Sequence, residues 1–216
     1  MEVYDDHKNI KYTLVEERLR EPAALIESFS AKDGGIWMPG RIQSKQLSAQ
    51  YYLCNVTKID QQGKALFHTL LDDPDYQING SYETQEGDIL CIGYYMPGKR
   101  YYPMALTVSS TGELCWIKHN HQVDSGTYEG IVPLGENVAL IGKERSAQGI
   151  EAWNEWIDIM DSQGKLLASY TLTDEITQTY CLYGRNLYWA VDEKTIQTVR
   201  FEIDSGISYF TTITLP

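Results

Sequence analysis

The chain has 216 residues, 43% of them hydrophobic and 22% charged, with a formal net charge of -12. That length suits one large all-β domain or two small ones with a substantial core, and 16 Tyr with 5 Trp give the aromatic content of a β-rich protein. The acidic balance, with no Lys/Arg run, argues against nucleic acid as a partner, because phosphate backbones are held by clustered cations.

Residues 1–21 form an N-terminal segment. "MEVYDDHKNIKYTL" lacks the apolar core of a signal peptide, and no stretch reaches the roughly 18 apolar residues of a membrane span. Localisation is therefore unassigned, and an extracytoplasmic site would require a targeting segment outside these residues. "IKYTLVEE", residues 10–17, reads either as the outer strand of an incomplete repeat or as part of an amphipathic helix through "LVEERLREPAALIESF", which Pro22 would interrupt.

From residue 22 onward two landmarks recur. The first is a strand, a polar turn closing on glycine and a second strand: "VTKIDQQGKALFHTLL" at Gly63, "LTVSSTGELCWIKH" at Gly112, "IDIMDSQGKLLASYTL" at Gly164 and "VRFEIDSGISYFTTITL" at Gly206. Glycine accepts a positive φ in such a turn at no steric cost. Four residues past each glycine stand Phe67, Trp116, Ala168 and Phe210, three of them aromatic. The second landmark is a glycine-containing turn that opens an apolar strand: "DGGIWMPG", "EGDILCIG", "GENVALIG" and "GRNLYWAV". Two landmarks sharing one period divide a single domain, 22–216, into repeats at about 22–73, 74–123, 124–173 and 174–216.

Four strands fit each repeat, with tight turns after the first and third. Such repeats predict an all-β fold, a β-propeller of about four four-stranded blades, standing alone or within a larger propeller. A β-sandwich would explain the alternation but not two landmarks in phase. The strand, turn and strand of "SSTGELCW" resembles the repeat of PQQ-type and WD40-like bacterial propellers. That resemblance implies a fold; it carries over no catalytic or cofactor-binding residue, and no cofactor is expected. An open array of blades would expose sheet edges, so a homodimer or neighbouring blades are expected to cover them.

Alternating strand direction puts the glycine turns at one end and the irregular loops at the other, where binding residues collect on a rigid scaffold. The predicted ligand site there comprises Lys99, Arg100, Tyr101, Tyr102, His119, Trp153 and Asp174. Aromatics beside basic forks and carboxylates suit a protein, peptide or carbohydrate ligand. "HNHQVD" could present His119, His121 and Asp124 to zinc, but two His one residue apart point to opposite sides of a strand, so a solvated loop is expected and no metal site is assigned. "DDPD" lacks the spaced ligands of a calcium loop and reads as a turn cluster. In "AWNEW", Trp153 and Trp156 face opposite sides, one toward the core and one free to stack on a ligand.

Cys54, Cys91, Cys115 and Cys181 lie far apart in apolar runs, with no CxxC pair, and read as small buried side chains. Neither a nucleophile elbow nor a phosphate-binding glycine loop occurs. The expected function is therefore a non-catalytic interaction module. The alternative is a glycan-active hydrolase or lyase using paired carboxylates such as Asp72, Asp75 and Glu175.

Overall fold

Strand periodicity is legible along most of the chain, and strands are what form. The computed structural model describes residues 2–4, 10–13, 23–25, 28–43, 52–123, 125–145, 153–172, 187–201 and 208–216, and these are all-β, without a helix. β1 (Glu2–Tyr4) pairs antiparallel with β2 (Ile10–Thr13), Glu2 facing Thr13. The N-terminal segment thus takes the strand alternative at 10–13. β3 (Ala23–Leu25) is extended as well, so no helix runs through it.

Four larger sheets follow. The first contains β3, β4 (Phe29–Ser30), β5 (Ile36–Gln43), β6 (Tyr52–Ile59) and β7 (Ala65–Leu70), with β3 and β4 sharing the same edge of β5. The second is β8 (Tyr76–Glu83), β9 (Ile89–Tyr95), β10 (Tyr102–Val108) and β11 (Leu114–His119), in chain order. The third, likewise consecutive, is β12 (Gly126–Leu134), β13 (Asn137–Arg145), β14 (Trp153–Met160) and β15 (Leu166–Leu172). The fourth has β16 (Leu187–Asp192), β17 (Thr195–Phe201) and β18 (Ser208–Thr214). The chain divides into two compact units, Met1–Cys91 with Leu106–Cys115, and Ile92–Ala105 with Trp116–Pro216.

Each unit has its own apolar interior. Trp37, Val56, Ile59, Ile78, Ile89 and Leu106 are buried in the first. In the second, Val132, Ala139, Ile141 and Ile157 of the third sheet close against Ile196 and Leu215, with Tyr188 and Ile213 at the margin. Cys54 and Cys91 are buried, as expected, and burial pushes the Cys54 thiol up to about 11. Cys115 is exposed instead, because it lies on β11, the edge strand of its sheet, and Cys181 lies outside the described residues.

The recurrent glycine turns share one construction. Gly63, Gly112 and Gly164 have φ of 83°, 93° and 71°, and each donates its amide at 3.0 Å to the carbonyl three residues earlier, on Asp60, Ser109 and Asp161. The side chain at that earlier position closes the turn. Asp60 Oδ1 accepts the amides of Gln62 and Lys64, Asp161 Oδ1 those of Gln163 and Lys165, and Ser109 Oγ those of Thr111 and Glu113. This is the side-chain mimicry of a backbone turn for which Asp and Ser are suited. Gly206 lies outside the described residues.

Two of the aromatics four residues past the glycines, Phe67 and Trp116, pack from sheet to sheet, whereas Phe210 is exposed and meets Trp189 of its own sheet. Within the first unit, a Cβ on Gly112 would lie 2.6 Å from Cγ of Phe67, and Thr69 Oγ1 donates to the Gly112 carbonyl at 2.6 Å. Within the second, a Cβ on Gly164 would lie 2.7 Å from the Trp116 ring, whose Nε1 donates to the Ser162 carbonyl at 3.2 Å. Glycine is therefore required twice over at these positions, by its φ and by the ring above it.

A Cβ on Gly135, in the turn after β12, would lie 3.1 Å from Glu193, in the turn after β16.

Lys58 is buried beside Trp37, its Nζ 4.6 Å from the ring centroid and 2.7 Å from Asp33 Oδ2. The Lys58 hydrogen bond, reinforced by the Gly35 amide, holds the Asp33 carboxyl below its ordinary value. Since the folded state favours the ionised form, this contribution to stability is complete above about pH 4 and is lost as pH falls through the depressed folded value. Asp33→Asn is expected to flatten the acid limb of stability against pH below about pH 4, measured by urea unfolding. Gly112→Ala is expected to cost about 1–3 kcal/mol, and more than Gly98→Ala, where φ is also positive but nothing lies within 4 Å of a Cβ. Equal losses would show that Phe67 exerts no constraint.

Candidate functional site

In an antiparallel meander, connections after the first and third strands emerge at one end and the connection after the second at the other. In the second sheet the glycine turns at 84–88 and 109–113 occupy one end. Residues 96–101, between β9 and β10, and residues 120–123, after β11, belong to the opposite end.

Backbone bonds fasten these two stretches together. The Tyr101 carbonyl accepts the amides of Ser125 at 3.1 Å and Gly126 at 3.0 Å, while the Pro103 carbonyl accepts that of Asn120 at 2.9 Å. Gly98, with φ of 80°, turns the chain between them. The side chains that result form two groups of rings, one running through Tyr95, His119, His121 and Tyr102 and the other the pair Tyr94 and Tyr101. Tyr95 stacks on His119 with centroids 4.7 Å apart, Tyr102 meets His121 edge-on at 4.7 Å, the two imidazoles are 5.7 Å apart, and Tyr94 meets Tyr101 edge-on at 5.1 Å. Lys99, Arg100, Tyr101 and His121 are exposed, and Tyr94, Tyr95, Tyr102 and His119 are half-buried. All belong to the second unit.

Of the predicted ligand residues, Tyr102 and His119 meet through His121, Tyr101 pairs with Tyr94, and Lys99 and Arg100 are exposed in the same connection. Trp153 begins β14, its backbone paired with Arg145, but its side chain lies outside the described residues, as does all of Asp174. Trp156 is the buried member of "AWNEW". Tyr94, Tyr95 and His121 were missing from the predicted set. A signal for the tyrosines was present, since the doublets at 94–95 and 101–102 bracket the loop symmetrically.

The two histidines correct an expectation. Strand alternation would hold their rings apart, but β11 ends at His119, and the Asn120 side chain accepts the Gln122 amide at 3.1 Å to open a turn. Both rings then reach the same cluster. Among the described residues no three His, Cys, Asp or Glu side chains are grouped to hold a metal ion. The cluster instead offers flat apolar ring faces beside two side-chain cations, which can stack against a ligand and neutralise acid groups on it.

Asp73 Oδ1 accepts the Asp75 amide at 2.9 Å, the turn role expected for "DDPD", and burial with the Asp73 charge raises the Asp75 carboxyl. Glu175 lies outside the described residues. No protein-family model matches this chain, and no curated protein matches it either.

The stack on Tyr95 gives the cluster a spectroscopic signature. Ring-current shielding should displace the His119 ring-proton resonances, so Tyr95→Leu is expected to move them while those of His68 stay in place. An unmoved His119 signal would contradict the stacked geometry.

Proposed function

We propose that the chain is a non-catalytic interaction module of β-propeller type, each four-stranded sheet a blade, that binds an acidic carbohydrate at the ring cluster. The blade reading is supported by consecutive strand order in the second and third sheets and by the ring-on-glycine packing repeated from one sheet to the next. A WD40-like or PQQ-like repeat remains a resemblance of form, consistent with an unshared sequence family.

The observation that carries the functional reading is the ring group of Tyr95, Tyr102, His119 and His121, with the pair Tyr94 and Tyr101 and the exposed Lys99 and Arg100 in the adjoining connection. Partly exposed tyrosine rings offer the flat apolar faces on which a sugar ring stacks, with few rotatable bonds to freeze. Arg100 offers a planar fork for a carboxylate, and Lys99 a second cation. In a chain of net charge -12 such a local pair of cations would favour an acidic ligand over the protein's own bulk field.

Titration calorimetry with oligogalacturonate, neutral oligosaccharides of equal length and an acidic peptide tests this reading. Oligogalacturonate should bind, without turnover. Arg100→Ala and Tyr102→Ala should each weaken it about tenfold, close to 1.4 kcal/mol, while Gln62→Ala and Ser162→Ala, exposed in the glycine turns, should leave it unchanged. Preference for the peptide, or release of shortened sugars, would overturn the assignment.

A further inference from the structure

We propose that Asp158 is the positioning residue for the ring cluster: from the third sheet its buried carboxylate fixes Asn120, and through Asn120 the His119–His121 stretch. This inference rests on reading the ring cluster as a binding site.

The local architecture begins with a missing side chain. Tyr128, Gly142 and Trp156 are cross-strand neighbours on β12, β13 and β14. A Cβ on Gly142 would come within 2.1 Å of the Trp156 ring, so only glycine leaves the indole room to lie across the middle strand. Its ring centroid is then 5.8 Å from that of Tyr128. Asp158, two residues beyond Trp156 and on the same face of β14, is thereby brought under two donors. Trp156 Nε1 donates to Asp158 Oδ2 at 3.0 Å, and the Tyr128 hydroxyl makes a short bond to the same oxygen.

The third donor comes from the second sheet. Asn120 Nδ2 donates to Asp158 Oδ2 at 3.1 Å. Asp158 and Tyr128 are buried, and Asp158 Oδ1 has no hydrogen-bond partner, so every bond in the knot converges on one oxygen. Three donors held at one acceptor in a dry setting fix each other's positions more firmly than solvent-exposed bonds would. Asn120 stands between the two ring-bearing histidines, its backbone tied to Pro103 and its Oδ1 to the Gln122 amide. With its amide nitrogen held on Asp158, the residue has no freedom left to rotate, and the imidazoles on either side are set at Tyr95 and Tyr102. A binding group held by a buried supporting bond is the arrangement that gives a site its precision.

Four proteins test the proposal: wild type, Asn120→Ala, Asp158→Asn and Asp158→Ala, each checked for folding by thermal melting. The readouts are the His119 and His121 ring resonances, with His68 as the internal control, and affinity for oligogalacturonate. Asn120→Ala leaves the Trp156 and Tyr128 bonds intact, so it should keep its melting temperature, move both histidine signals and weaken binding about fivefold. Asp158→Asn retains an acceptor oxygen and should restore part of the shift and affinity lost in Asp158→Ala. Combining Asn120→Ala with Asp158→Asn should do no more than the stronger single change. Asp158 is merely structural if its variants lower the melting temperature while the folded protein keeps wild-type histidine signals. If wild type fails to bind oligogalacturonate, the proposed function falls, but the histidine signals still decide the positioning role.

Discussion

A ring laid over a glycine is the contact that joins one sheet to the next within each unit. A turn of three to four residues needs a positive φ to close with a strand on either side, and glycine supplies it. The same residue has no side chain, so the face of the turn is open, and the aromatic of the preceding repeat lies on it. Phe67 over Gly112 and Trp116 over Gly164 are two copies of this contact, one in each unit. Each turn is also clamped by its own Asp or Ser side chain, which leaves the ring a rigid seat.

Function follows from what that constraint does to the opposite end of the second sheet. The glycine-turn end is committed to short turns and packing, whereas the connection at 96–101 and residues 120–123 are held by backbone bonds, by their rings and by the bond from Asn120 to Asp158. Tyr95, Tyr102 and two histidines meet there, and a buried carboxylate on the third sheet reaches across to hold the segment between the histidines.

The repeats were readable because both landmarks report backbone requirements that a sequence states openly: alternating apolar residues, and glycine where φ must be positive. Phe67 and Trp116 were visible as equivalent positions, although nothing in the sequence said that each covers the next glycine. The loop cluster is partly legible. Strand direction alone puts Tyr102 and His119 at one end of the sheet, but Tyr95 reads as part of a strand, and the alternation that separates His121 from His119 ends where β11 ends. The Asp158 knot was not legible at all, because it depends on Gly142 making room for Trp156 across a neighbouring strand.

The most direct measurement is a backbone amide NMR titration of the full chain with oligogalacturonate. Shifts confined to residues 94–102 and 119–123, with the amides at 60–64, 109–113 and 161–165 unmoved, are the predicted outcome. Shifts centred on the glycine turns, or none at saturating sugar, would contradict the assignment of the binding end.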